Sequence, residues 1–176
     1  DFDRGGWSNS IRLGADYFFN EKNILTSSFL YRFSKENNTN LLEYFEGPQI
    51  KGTPFSPRQF VRRTDEEIED ETNLEYALNY KKTFDRKGQS LVVDLTYRDK
   101  GETESSDFTD VFLNPDGSST DLPSALEQSN NDEGENQLRL QIDYVHPFSK
   151  NSKFEVGGLS SIRTIKNDFA VERWVN

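Results

Sequence analysis

Side chains suited to chemistry are few in this chain and widely spaced. His146 is the only histidine, and it stands beside Pro147. One imidazole does not make a two-histidine metal site, and neither a nucleophile elbow nor a phosphate-binding glycine loop accompanies it. Asp94 and Asp143 offer two carboxylates of the type glycosidases use; the simpler place for both is a polar sheet face shared with Arg12, Arg98 and Arg139. Acidic runs occur at Asp65-Glu66-Glu67, Glu69-Asp70-Glu71 and Asp132-Glu133. Such runs gather divalent cations when spaced as a calcium loop; without that spacing they read as solvated, mutually repelling surface. The stretch from Gly47-Pro48 to Pro54-Phe55-Ser56-Pro57 suits an extended, proline-rich surface segment. No cysteine is present, which excludes thiol catalysis, disulfides and cysteine-ligated zinc. With 31 acidic and 21 basic residues the net charge is −10, the wrong sign for contact with nucleic-acid phosphates. The expectation is a protein without catalytic residues, metal or cofactor.

The elements that carry these side chains alternate with period two, and helical periodicity is hard to find. From Trp7 to Phe19 one parity reads Trp7, Asn9, Ile11, Leu13, Ala15, Tyr17, Phe19, and the other reads Ser8, Ser10, Arg12, Gly14, Asp16, Phe18. After the turn Asn20-Glu21-Lys22-Asn23, Leu25, Ser27, Phe29, Tyr31 and Phe33 alternate with Thr26, Ser28, Leu30, Arg32 and Ser34. A third run sets Leu74, Tyr76, Leu78 and Tyr80 against Asn73, Glu75 and Asn79, and ends at Phe84. It enters Asp85-Arg86-Lys87-Gly88, where glycine supplies positive φ. Leu91, Val93, Leu95 and Tyr97 then oppose Val92, Asp94, Thr96 and Arg98. The fifth run sets Leu138, Leu140, Ile142, Tyr144 and Phe148 against Arg139, Gln141 and Asp143. Beyond Ser149-Lys150-Asn151-Ser152, a sixth run carries Phe154, Val156 and Ile162, with Leu159 and Ile165 on its other parity.

These runs group as three hairpins, at about 6–36, 72–101 and 135–166, joined by long polar connections at about 37–70 and 102–134. Short turns on one side and long connections on the other are the arrangement of an outer-membrane β-barrel, whose turns are short at the periplasm and long outside. The composition agrees: 32% hydrophobic residues but 13% aromatic is what a sheet with one apolar and one polar face requires. Runs of about 10–14 residues are also longer than the usual soluble strand of about 5–6. Aromatics gather beside the short turns, as in an interfacial girdle, and Tyr31, Phe33 and Tyr97 mark a second boundary. Lys22, Arg86, Lys87, Lys150 and Lys153 also sit at the short turns.

The segments Gly14-Ala15-Asp16-Tyr17-Phe18-Phe19-Asn20-Glu21-Lys22-Asn23, Tyr80-Lys81-Lys82-Thr83-Phe84 and Gln141-Ile142-Asp143-Tyr144-Val145-His146-Pro147-Phe148-Ser149 resemble the barrel of Bacteroidetes-type TonB-dependent receptors in the outer-membrane protein β-barrel family. In that family a strand commonly ends in an aromatic, followed by a polar Lys/Asn turn. The resemblance implies a barrel of about 22 strands, a plug, energisation through TonB and import of bulky nutrients. Six strands are fewer than the roughly eight of the smallest usual membrane barrel. Asp1 opens without Met and Asn176 closes a strand-like run, so the expectation is a piece of a larger wall.

On this reading the chain is all-β, an antiparallel meander of about six long strands in the bacterial outer membrane. Tyr17, Phe19, Phe29, Tyr31, Phe33, Tyr76, Tyr80, Phe84, Tyr97, Tyr144, Phe148 and Phe154 face lipid or form the aromatic girdle. Arg12, Asp16, Arg32, Glu75, Asp94, Arg98, Arg139 and Asp143 face the lumen. The expected partners are outer-membrane lipid and lipopolysaccharide, the remaining barrel strands and plug, and TonB through the parent protein. Two rivals compete: a soluble β-sandwich or lipocalin-like binding module with the apolar parity turned inward, and a glycan-processing enzyme using Asp94 and Asp143.

Overall fold

A computed structural model describes every residue except 49, 50, 53, 54, 56 and 176, and side chains through 174 outside those positions. The described residues form one six-stranded antiparallel sheet in sequence order: β1 (Phe2–Asn20), β2 (Asn23–Glu46), β3 (Gln59–Thr83), β4 (Ser90–Leu113), β5 (Ala125–Ser149) and β6 (Ser152–Val175). Each strand pairs with the next along nearly its whole length, so the topology is a plain up-and-down meander. No helix occurs among the described residues.

The turn residues close the hairpins for identifiable reasons. Asn20 accepts from the Lys22 backbone N–H through Oδ1 at 2.9 Å, an Asx turn. Gly88 takes φ of 84° in the second turn, a conformation open to glycine at no steric cost. At the first and third turns the register slips by one residue, between Phe18 and Asn20 and between Pro147 and Ser149. The second slip stands beside Pro147, which has no N–H for the ladder.

The strands, at 19–25 residues, are about twice the expected length. Most of the stretches 37–70 and 102–134, expected as loops, continue the ladder instead; the connections shrink to 47–58 and 114–124. Strand identity there comes from hairpin register together with paired polar side chains at opposed positions, where cross-strand pairs stabilise a sheet. Glu43 faces Arg62 with Nε–Oε1 of 2.8 Å, and Arg63 faces Asp110 with two bonds of 2.7 Å. Asn38 donates to Glu67 at 2.6 Å, and Lys35 lies 3.6 Å from Asp70. The acidic runs are therefore strand residues, split between two faces, rather than loop surface. The proline-rich stretch 47–57 falls partly outside the described residues.

The sheet has almost no core. Its buried apolar residues are Val61, Leu113 and Ala125, all at the end remote from the short turns. A sandwich would lay a second sheet against the apolar face, and the described residues supply only one sheet. Sheet faces of this extent with large exposed aromatics and aliphatics exceed what a water-soluble monomer leaves uncovered.

Candidate functional site

Register determines which side chains share a face, because directly paired residues point the same way. One face is predominantly apolar in rows that cross all six strands. Leu13, Phe29, Tyr76, Tyr97, Leu138 and Ile162 form one such row, and Ala15, Ser27, Leu78, Leu95, Leu140 and Ser160 the next. Of the expected lipid-facing residues, Tyr17, Phe29, Tyr31, Phe33, Tyr76, Tyr80, Tyr97, Tyr144 and Phe154 fall on this face by pairing. Phe19, Phe84 and Phe148 join it at the turns. Their rings lie 4.8 Å from Tyr17, 6.2 Å from Tyr144 and 5.2 Å from His146, two of them edge-on at 83° and 90°.

The apolar band is oblique to the strands. On β2 it ends at Phe33; on β5 it ends at Leu138, which register places level with Phe29, four residues lower. At roughly 3.3 Å per residue and about 4.8 Å per strand step, this slope corresponds to strands inclined about 40° to the band's normal. That is the tilt of membrane-spanning barrel strands, roughly 35–45°. From Leu25 to Phe33 the band spans about 26 Å along β2. Projected through that tilt it becomes about 20 Å, which the aromatics at the short turns extend toward the roughly 25 Å apolar belt of outer-membrane barrels.

The opposite face is polar, and Arg12, Asp16, Arg32, Glu75, Asp94, Arg98, Arg139 and Asp143 all occupy it. They are laced together. Arg98 donates to Glu75 at 2.7 Å, and Asp16 accepts from Thr26 Oγ1 at 2.6 Å. Asp94 accepts from Asn79 at 2.6 Å, and Gln141 accepts from Arg139 while donating to Asp143 at 2.8 Å. Both carboxylates of the imagined glycosidase pair are thus engaged by amides. The buried polar residues among those described, Asn38, Ser106 and Asp110, also lie on this face. With no second layer present, such burial requires neighbouring side chains to crowd inward, as they do on a concave surface.

Above the apolar band the polar face carries an acidic belt, legible only once the strands are aligned. Glu36, Glu69 and Glu104 form one row; Glu71, Glu102 and Glu133 form the next. Like charges directly opposed across strands are destabilising. Lys100 relieves part of this, 2.7 Å from Glu102 and 3.6 Å from Glu71. Glu69 and Glu104 have carboxyl pKa values raised by burial first and then by neighbouring carboxylates. No group of three or more His, Cys, Asp or Glu among the described residues is arranged to hold a metal ion. Farther up, the Arg63 guanidinium holds the Asp110 carboxyl below its usual range, chiefly by hydrogen bonding. Separated by 47 positions in sequence, these two gave no signal before the strands were aligned.

At the other end the short turns are tied side to side. Lys22 pairs with Asp85, linking the first two turns. Arg86 Nη1 donates to Pro147 O at 2.9 Å and lies 2.9 Å from His146 Nε2, linking the second and third. His146 Nδ1 lies 3.1 Å from the Tyr144 hydroxyl. The single histidine therefore sits on the apolar face, within the aromatic cluster.

Residues 82–176, just over half of the chain, match the outer membrane protein beta-barrel family. Among curated proteins none matches the chain. An oblique apolar belt, a laced polar face, short aromatic-flanked turns and this match lead to one assignment: the chain belongs to the outer membrane protein beta-barrel family, and its place is the bacterial outer membrane.

Proposed function

We propose that these six strands are a stretch of wall in a larger closed barrel, that the apolar face meets lipid, and that the polar face lines a hydrated lumen. The observation that carries this reading is the oblique belt, whose slope and height both match a tilted membrane crossing. Hydrocarbon offers no partner for polar side chains, so the face bearing Arg12, Glu75 and Arg98 is the one turned away from lipid. β1 and β6 each expose an unpaired edge, and a membrane tolerates no such edge. Further strands at both edges satisfy them. Within the parent protein we assign the wall to a TonB-dependent receptor for nutrient uptake, with a plug in the lumen, and we assign the chain no catalysis.

Two measurements on the full-length protein test this. With cysteine-attached fluorophores at positions 95 and 96, brominated acyl chains quench the label at 95 and spare the one at 96. Equal quenching overturns the lipid assignment. Binding to the periplasmic domain of TonB tests the uptake assignment separately; its absence leaves an outer-membrane barrel that is not energised by TonB.

A further inference from the structure

We infer that the short-turn rim between β3 and β5 is a docking surface for an anionic glycerophospholipid, whose phosphate is held by Arg86. The charge of the chain is segregated. The first turn carries Lys22 against Glu21. The second carries Lys81, Lys82, Arg86 and Lys87 against Asp85, and the third carries Lys150 and Lys153 against Glu155. This end thus has an excess of four positive charges in a chain of net charge −10.

Geometry makes one of these cations special. Both bonds of Arg86 to the neighbouring strand end are made by Nη1, to Pro147 O and to His146 Nε2. The guanidinium is held in place while the N–H groups of Nε and Nη2 carry no bond to the described residues. A guanidinium fixed at one corner with its fork free is preorganised for bidentate contact with a phosphate. Beside it Phe84, Tyr144, His146 and Phe148 form a run of neighbouring rings on the apolar face, where a lipid's glycerol and upper acyl chains would lie. Lys82 completes the rim, its ammonium 5.0 Å from the centre of the Phe84 ring. Apolar floor and cationic rim meet at one depth, which is the chemistry of an anionic headgroup carried on acyl chains.

Lipopolysaccharide also carries phosphates on acyl chains, but short turns belong to the periplasmic side of such barrels, so the occupant assigned is a glycerophospholipid. The inference rests on the apolar face meeting lipid, and the bromine-quenching experiment above tests that premise independently of any headgroup. The test is native mass spectrometry of the full-length protein in detergent, titrated with phosphatidylglycerol, phosphatidylcholine or lipid A of matched chain length. Both phospholipids offer Arg86 a phosphate, but phosphatidylcholine adds a quaternary ammonium that Lys82, Arg86 and Lys87 repel, so phosphatidylglycerol is expected to be retained about tenfold more. Arg86→Gln lowers retention of both phospholipids and removes most of that preference, Arg86→Lys keeps the preference but loses part of the retention because charge survives without the fork, and Lys166→Gln at the far end leaves both intact. Should Arg86→Gln fail to give the β-sheet circular dichroism of the parent, the doubly substituted Lys82→Gln, Lys87→Gln protein serves, with a smaller expected loss. Equal retention of the two phospholipids, a preference indifferent to all these substitutions, or Arg86-dependent retention of lipid A in place of phosphatidylglycerol each overturns the proposal.

Discussion

Below the oblique line through Tyr31 and Tyr97 the strands alternate, mostly apolar on one face and mostly polar on the other, with Ser27 and Leu30 among the exceptions. Above it the same strands run on for about as many residues again, yet the faces no longer differ in that way. Lys35, Glu43, Arg62 and Asp70 occupy the face that is apolar below, while Glu36, Glu69 and Glu104 occupy the other. On the proposed function the lower zone lies between two unlike surroundings, lipid and a hydrated lumen, and the upper zone meets water on both faces. The cohesion of the upper zone comes from backbone pairing and opposed polar side chains. One sheet thus contains two regions stabilised differently, and a perturbation in one should not act alike in the other.

The largest contrast is expected for a charge placed in the belt. Leu95→Arg puts a guanidinium near the middle of the apolar face and should cost about 3 kcal/mol, the depth-dependent penalty for lipid-facing arginine. Thr103→Arg, on the same face and strand but above the belt, should change stability by no more than about 0.5 kcal/mol. Urea unfolding of the full-length protein in lipid vesicles compares the two. Equal costs would erase the distinction between the zones.

Next comes the pair that anchors the upper zone. Asp110 has a side chain only 8% exposed, with Arg63 at 30%. Arg63→Ala leaves that carboxylate without its partner and should cost about 2 kcal/mol, below the cost for a fully buried pair because Arg63 is partly solvated. Hydrogen exchange should quicken at 61–65 and 108–112 while the belt segments 91–97 and 138–144 keep their protection. Uniform acceleration would mean that the zones unfold as one unit.

The acidic belt sharpens the comparison through pH. For Glu69 and Glu104 the folded pKa lies above the unfolded one. The stability they contribute is therefore fully present below the unfolded carboxylate value, about 4.3, and is lost as pH rises through the folded value. Acidifying from neutrality should slow exchange at 67–71 and 102–104 by a few-fold after correction for intrinsic rates, and Glu69→Gln should remove part of that dependence. Asp110 carries the opposite sign, since its pKa is lowered; its contribution holds above the unfolded value and fails only as pH falls through the folded one. Protection that declines at both places on mild acidification would contradict this account.

The smallest effect is expected on the polar face inside the belt. Glu75 and Arg98 form a pair with both partners substantially exposed, so Glu75→Ala should cost less than about 1 kcal/mol. Denaturant midpoints would register a larger value, which would mean that this face is drier than a hydrated lumen.

Strand existence, parity and turn position in the lower zone were readable from residues such as Leu74, Tyr76, Leu78 and Tyr80, because two unlike surroundings write themselves into alternate positions. The upper zone was read as loop for a physical reason: Asp65 to Glu71 meets polar surroundings on both faces, so alternation carries no signal. Arg63 with Asp110, and Arg86 with His146, were likewise unreadable, since each pair joins residues far apart in sequence that only register makes neighbours.

What the sequence determined alone was the lower sheet: which parity is greasy and where the chain reverses. What the tertiary structure decided was everything that depends on relative strand height. Alignment of six strands set the slope of the belt, stacked the glutamates into opposed rows and tied Arg86 across to the third turn. Period-two patterning specifies the face of each side chain, but height is a relation between strands, and it exists only once they have paired.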